Sequence, residues 1–176
     1  GADVIKVESP EGDGTRLWGP PWIERENGER EAAYYHAANR GKRSIVADFR
    51  DEQDIARVRD LAASADVVLE NFKTGTLAKF GLDYASLAAA NQRLVYCSIT
   101  GFGPDGPYRT RPAYDTVAVA LSGVTHLNVD PDRPIGNRKP NVSPAMAHTE
   151  VHRVPSNIWP TKLIDLNRNV LRKHAK

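Results

Sequence analysis

Apolar residues along the chain alternate between two spacings. Val4, Ile5 and Val7 are close-set and mostly β-branched, and Ser9-Pro10 ends the run, which predicts a strand over 3–8. Further strands are expected at 43–49, 66–70 and 94–99. In the third, Val67-Val68-Leu69 is an unbroken apolar run, the pattern of a parallel strand covered on both faces. Helical spacing fills the intervals. Asp51 opens a helix with Glu52 and Asp54 in its first turn, where carboxylates suit the helix dipole, and Ile55, Val58, Leu61 and Ala62 form its apolar stripe. Shorter helical stretches are expected at 77–80 and 84–90, divided by Gly81 as a C-cap, and again at 114–121. Strand alternating with helix predicts an α/β domain with a mostly parallel sheet.

Three stretches break the rhythm. Residues 9–30, with Gly12, Gly14, Gly19 and Pro20-Pro21, read as a long loop, and 100–112 as a second Gly/Pro loop. From about Arg133 the prolines 134, 140, 144, 155 and 160 interrupt any period, and only Lys162–Lys173 looks helical again, through Leu163, Ile164, Leu166, Val170 and Leu171. The expected organisation is therefore an α/β unit over 1–125 and an irregular tail over 126–176 ending in a short helix. The start, a strand with no initiator Met before it, reads as a truncation, and the tail as an irregular or aberrant end.

Composition narrows the function classes. The chain has 176 residues, enough for one domain with a core, and a net charge of +2, which implies no strong general attraction to nucleic acid. The lone Cys97 leaves no internal disulfide and fits a reducing compartment. No apolar run approaches the roughly 20 residues of a membrane span. The five histidines are scattered, and His148 and His152 have no third ligand in pattern, so no metal site is expected. Gly-rich phosphate fingerprints and a Gly-x-Ser-x-Gly elbow are missing.

In an open parallel sheet, ligands bind beyond the carboxyl ends of the strands. Those ends offer Glu8-Ser9, Phe49-Arg50, Asn71-Phe72 and Thr100-Gly101-Phe102-Gly103. A guanidinium, an amide, aromatic faces and exposed backbone suit a nucleotide and a pantetheine arm. Each has a plainer reading: Arg50 as a solvated charge, Asn71 as a turn cap, the glycines as turn formers, and Asn39-Arg40-Gly41-Lys42-Arg43 as a solvated loop ahead of a strand.

Taken together, the strings GADVIKVE (1–8), GDGTRLWGPP (12–21), NRGKRSI (39–45), ADVVLENF (65–72), FGLDY (80–84), LVYCSITGFG (94–103) and GPYRTRPAYD (106–115) resemble, in this order, the class III coenzyme A transferases. Formyl-CoA transferase, carnitine CoA-transferase and the succinyl-CoA:dicarboxylate enzymes belong to this group. The resemblance covers about residues 1–125. It implies a Rossmann-like large domain with a smaller one, in an interlocked homodimer, and no permanent cofactor. Coenzyme A and acyl-CoA are substrates, with a small carboxylate as acceptor. The location implied is the cytoplasm, with the mitochondrion open.

The reaction implied is covalent. An aspartate carboxylate attacks the thioester carbonyl, the C–S bond breaks, and a mixed anhydride and free CoA thiolate result. The thiolate then takes the aspartyl carbonyl, the donor acid leaves, and the acceptor carboxylate repeats the sequence in reverse. By position, Asn71 and Phe72 match a CoA contact, Arg50 a basic group near the CoA phosphates, and Tyr114 a tyrosine near the reacting centre. Ser9 stands where some members carry an arginine. The nucleophilic aspartate belongs after Ser122-Gly123, but no Asp occurs between Asp132 and Asp165, and Glu150 is the nearest carboxylate. The catalytic residue is therefore unassigned. Besides a transferase, the sequence leaves open a non-catalytic CoA-binding remnant and an α-methylacyl-CoA racemase. The racemase branch typically carries histidine in place of Tyr114 and proline in place of Asn71.

Overall fold

In a computed structural model, residues 1–123, 148–152 and 162–166 are described. In chain order these carry β1 (Asp3–Glu8), β2 (Trp22–Glu24), β3 (Arg30–Ala32), α1 (Ala33–Asn39), β4 (Arg43–Val46) and α2 (Glu52–Ala63). Then follow β5 (Val67–Glu70), α3 (Tyr84–Ala90), β6 (Val95–Thr100), α4 (Asp115–Leu121), β7 (His148–His152) and β8 (Lys162–Leu166). Single 3-10 turns occupy Gly14–Leu17 and Leu77–Phe80.

Six strands form the main sheet in the order β4-β1-β8-β5-β6-β7. The first five run parallel, and β7 is antiparallel to β6. Strands stand at all four expected positions, with β4 ending at Val46 short of residue 49, and the helix after Asp51 stands as read. Asp51 caps α2 by accepting from Gln53 N at 2.8 Å. Val58 and Ala62 turn the helix's apolar stripe onto the sheet, where they are fully buried with Ile5, Val7, Val68 and Leu87. Gly81, at φ +62°, ends the second 3-10 turn in the left-handed region that favours glycine.

Two expectations are corrected. Residues 9–30 are not one loop: Asp13 caps the first 3-10 turn by accepting from Thr15 N, and β2 pairs antiparallel with β3. A turn closes that pair, with Gly28 N donating to Arg25 O at 2.9 Å and Gly28 at φ +80°. Asn27-Gly28, a strong hairpin signal, lay in the sequence unread.

Residues 162–166 are strand, not helix. Leu163, Ile164 and Leu166 fit either period in so short a run. The slot between β1 and β5 decides, because it offers hydrogen-bonding partners on both sides and buries Ile164 and Leu166 completely. The rest of the expected helix, 167–173, lies outside the described residues.

Candidate functional site

Three of the residues named from the sequence, Arg50, Asn71 and Phe72, follow the carboxyl ends of parallel strands, and Tyr114 precedes α4. Phe49 lies just beyond β4 and Phe72 just beyond β5. Both are buried, and their rings stack nearly parallel with centroids 6.3 Å apart. Phe80 closes on Phe49 from the other side at 5.2 Å. Arg50 and Asn71 are the chain neighbours of the two stacked rings.

The four candidates differ in exposure. Arg50 is exposed, its guanidinium held by both Asp48 oxygens at 2.6–3.0 Å, with Glu11 at 3.9 Å. The hydrogen bonds to Asp48 raise Arg50 above its ordinary value. Asn71 is half-buried. Phe72 is 3% exposed, so its ring belongs to the core and offers no open face. Tyr114 is 65% exposed at the N-cap of α4.

Glu70 anchors the Asn71-Phe72 turn. Its carboxylate, almost fully buried, accepts from Phe72 N at 2.7 Å. Burial pushes its pKa up, and hydrogen bonds from Ser98 and Phe72 N offset only part of that rise. The same burial, with the Glu70 charge beside it, raises Cys97, so the thiol is no ready nucleophile.

On the β6 side, a Cβ at Gly101 would lie 2.4 Å from Ala113 Cβ and 2.9 Å from Ala113 N. Only glycine lets the loop after β6 approach the segment that presents Tyr114 this closely. Gly103 N donates to Thr100 Oγ1 at 2.9 Å and fixes the same loop.

A second constellation escaped the sequence reading. On β1, Lys6 and Glu8 are as buried as Ile5 and Val7. Lys6 Nζ donates to Asp13 Oδ2. Glu8 accepts from Arg16, from Ser44 Oγ and Tyr35 Oη at 2.8 Å, and from Asp13 N at 2.9 Å. Burial would raise Glu8, but the Arg16, Ser44 and Tyr35 hydrogen bonds outweigh it and hold the carboxyl below its usual range. Asp13 is lowered likewise, burial being overcome by Lys6 and Thr15. Burial, together with the hydrogen bond to Glu8, pushes the Tyr35 phenol well up. Beside this network lies a cavity of about 410 Å³, whose wall includes Tyr35, His36, Arg40 and Lys42. The signal was in the strand itself: charged residues alternating with apolar ones in a strand too central to face water.

The family model described as CoA-transferase family III matches residues 1–154. The chain belongs to CoA-transferase family III. The match runs past the motifs that end near residue 125 and takes in β7. Among curated relatives, the chain is 58% identical over 134 residues to succinate–glutarate CoA-transferase of Agrobacterium fabrum, covering 75% of this chain and 34% of that one. It is 43% identical over 139 residues to human succinyl-CoA:glutarate CoA-transferase, covering 76% and 31%. The chain thus spans about a third of the length of these relatives. A crystal structure of a CaiB/BaiF family protein from Brucella suis superposes with a TM-score of 0.73 at 60% identity, over 81% of this chain and 37% of that one.

Proposed function

We propose that this chain carries the coenzyme A-binding half of a family III CoA-transferase acting on small dicarboxylates, and that it does not supply the nucleophile for transfer. One observation carries the reading: the Phe49–Phe72 stack lies beyond the carboxyl ends of two parallel strands, where ligands bind, with Arg50 and Asn71 next to it in sequence. Arg50 is exposed and charged, suited to a CoA phosphate. Asn71 offers an amide to a polar edge of the ligand, and Tyr114 an exposed aromatic face. Phe72 contributes by holding Asn71 in place from below. Asn71 and Tyr114 favour a transferase over a racemase, and the names of the relatives point to succinate and glutarate as the acids exchanged.

The nucleophile is the missing part. Glu150, the nearest carboxylate in sequence to the expected position, stands on β7 opposite Ser98. A glutamate is one methylene longer than the aspartate the chemistry uses, and a misplacement of about 1 Å can cost on the order of 10²-fold. In a transferase of this family the thioester carbon must lie within attack distance of the carboxylate, so one misplaced group stops the sequence at its first step.

The test has two arms. Titration calorimetry of CoA against the chain is expected to show binding that weakens at least tenfold in Arg50→Ala and in Asn71→Ala. Loss of binding in neither variant would remove the site assignment. Incubation with succinyl-CoA and glutarate, with hydroxylamine trapping, is expected to give neither turnover nor an enzyme thioester. A thioester trapped on Glu150, lost in Glu150→Gln, would make this chain a complete catalyst instead.

A further inference from the structure

The cavity beside the Glu8 network has no part in the coenzyme A reading, and it lies on the other face of the sheet. Lys6 and Ser44, opposite each other on β1 and β4, both line it. Their chain neighbours Ile5, Val7 and Ile45 alternate to the far face, where they pack with Val58 of α2, Phe49 and Phe72. At about 410 Å³ the cavity has the volume of a site for a small ligand.

Its wall is rich in donors. Five cationic residues line it, Lys6, Arg16, Arg25, Arg40 and Lys42, and no carboxylate does. The acids that hold these side chains lie outside the wall. Asp13 pairs with Lys6, Glu8 and Glu31 with Arg16, Glu31 also with Arg25, and Asp165 with Lys42. Four acids against five cations leave one positive charge over. It falls on Arg40, which is exposed and has no acceptor among the described residues. Arg25 and Lys42 each give one donor to a carboxylate and keep the others, since a guanidinium carries five N–H groups and an ammonium three. What the wall lacks is acceptors, which an oxyanion supplies.

The fold sets these spare donors at two ends. Arg25 belongs to the hairpin whose second strand, β3, leads directly into α1, and Arg40 and Lys42 belong to the turn that leaves α1. Lys42 N closes that turn on Asn39 O at 3.1 Å, with Arg40 at its first corner. The seven residues of α1 separate the two ends by about 10 Å of helix. Long side chains from each end shorten that gap to the span of a short carbon chain. A compact anion such as phosphate meets only one end. An acid with a carboxylate at each end meets both.

We propose that this cavity binds a small dicarboxylate, with one carboxylate on Arg25 and the other on Arg40 and Lys42. The site is separate from the coenzyme A edge and does not rest on that reading. The two ligands occupy opposite faces of one sheet, so they do not compete.

The experiment follows backbone amide NMR shifts of the full chain during titration with glutarate. Saturable shifts are expected at residues 24–26 and 35–44. Pentanoate, with the same carbon count and one carboxylate, and inorganic phosphate are each expected to bind roughly fivefold more weakly or worse. Arg40→Ala removes no contact among the described residues, and it and Arg25→Ala are each expected to weaken glutarate roughly fivefold or more, with Arg40→Lys recovering part of the loss. Saturating CoA is expected to leave the glutarate affinity unchanged. No saturable shift would overturn the proposal, as would shifts centred on residues 48–50 and 71–72 instead. Pentanoate or phosphate binding as tightly as glutarate would also overturn it, and so would indifference to both alanine substitutions or competition by CoA. A chain that binds glutarate in this way but fails to bind CoA would undo the coenzyme A reading and leave this one standing.

Discussion

Around β5 and β6 the groups in contact are Phe49, Phe72, Leu77, Phe80 and Tyr96, an apolar cluster with one buried carboxylate, Glu70, at its rim. Around β1 the groups in contact are Lys6, Glu8, Asp13, Arg16 and Tyr35, charges joined by hydrogen bonds and nearly as far from water. Both regions position loops at the same edge of one sheet. The apolar region does so by non-directional burial, which fixes little beyond volume and shape. The charged region does so by partners that each have one correct geometry, and that leave a costly group behind if any is removed. Apart from Glu70, the first should therefore respond to cavities and ignore pH, and the second should do the reverse.

The sharpest way to break this contrast is to empty the apolar side. Phe72→Ala removes the ring stacked on Phe49 and is expected to cost about 3–5 kcal/mol, the usual range for a buried aromatic. Urea melts at pH 7 and pH 4 should give the same loss. A loss that shrinks at low pH would show that the charged network depends on the stack.

The next largest effect is expected on the other side. Asp13→Ala leaves Lys6 buried without its carboxylate and is expected to cost about 3 kcal/mol at pH 7. Glu8 and Asp13 hold protons less tightly in the folded chain than their ordinary values, 4.5 and 3.8. Their contribution is thus present above about pH 4.5 and is lost as pH falls through the lowered values. The cost of Asp13→Ala should shrink correspondingly below pH 4. A cost that stays constant from pH 7 to pH 3 would contradict the pairing of Asp13 with Lys6.

The smallest effect should come from Glu70, where the sign reverses. Its folded pKa is raised from 4.5, so its stabilising share exists at low pH and is lost as pH rises past that value. Glu70→Gln keeps an oxygen for Phe72 N and removes the buried charge. Its melting temperature is expected to exceed the parent's at pH 7.5 and to match it at pH 4. A lower value at both pH values would mean that the charge itself holds the Asn71-Phe72 turn.

Legibility in the sequence followed the same division. β1, β5, β6 and α2 announced themselves because unbroken apolar runs and a helical stripe leave few alternatives. Arg50, Asn71 and Phe72 were named because strand ends can be counted, and Tyr114 from the family resemblance; counting gives a location but no side-chain direction, and the Phe72 ring turns into the core. The Glu8 network left only the charge alternation in β1 as a trace, since its partners come from positions 6 to 44 and charges in sequence look like surface. β8 was misread because five residues carry no period of their own; the slot they fill, made by β1 and β5, decides their conformation. Asn27-Gly28 was a second local signal that went unused.

The Lys42–Asp165 contact joins residues 123 positions apart. A ribosome adds residues at about 5–20 per second, so Lys42 waits on the order of 10 s for its partner to be made. Throughout that time β1 and β4 can pair, and so can β5 and β6, while β8 has yet to pair with either. Unpaired strand edges template pairing with other chains, so the late arrival of β8 puts the weight of edge protection on the period of synthesis.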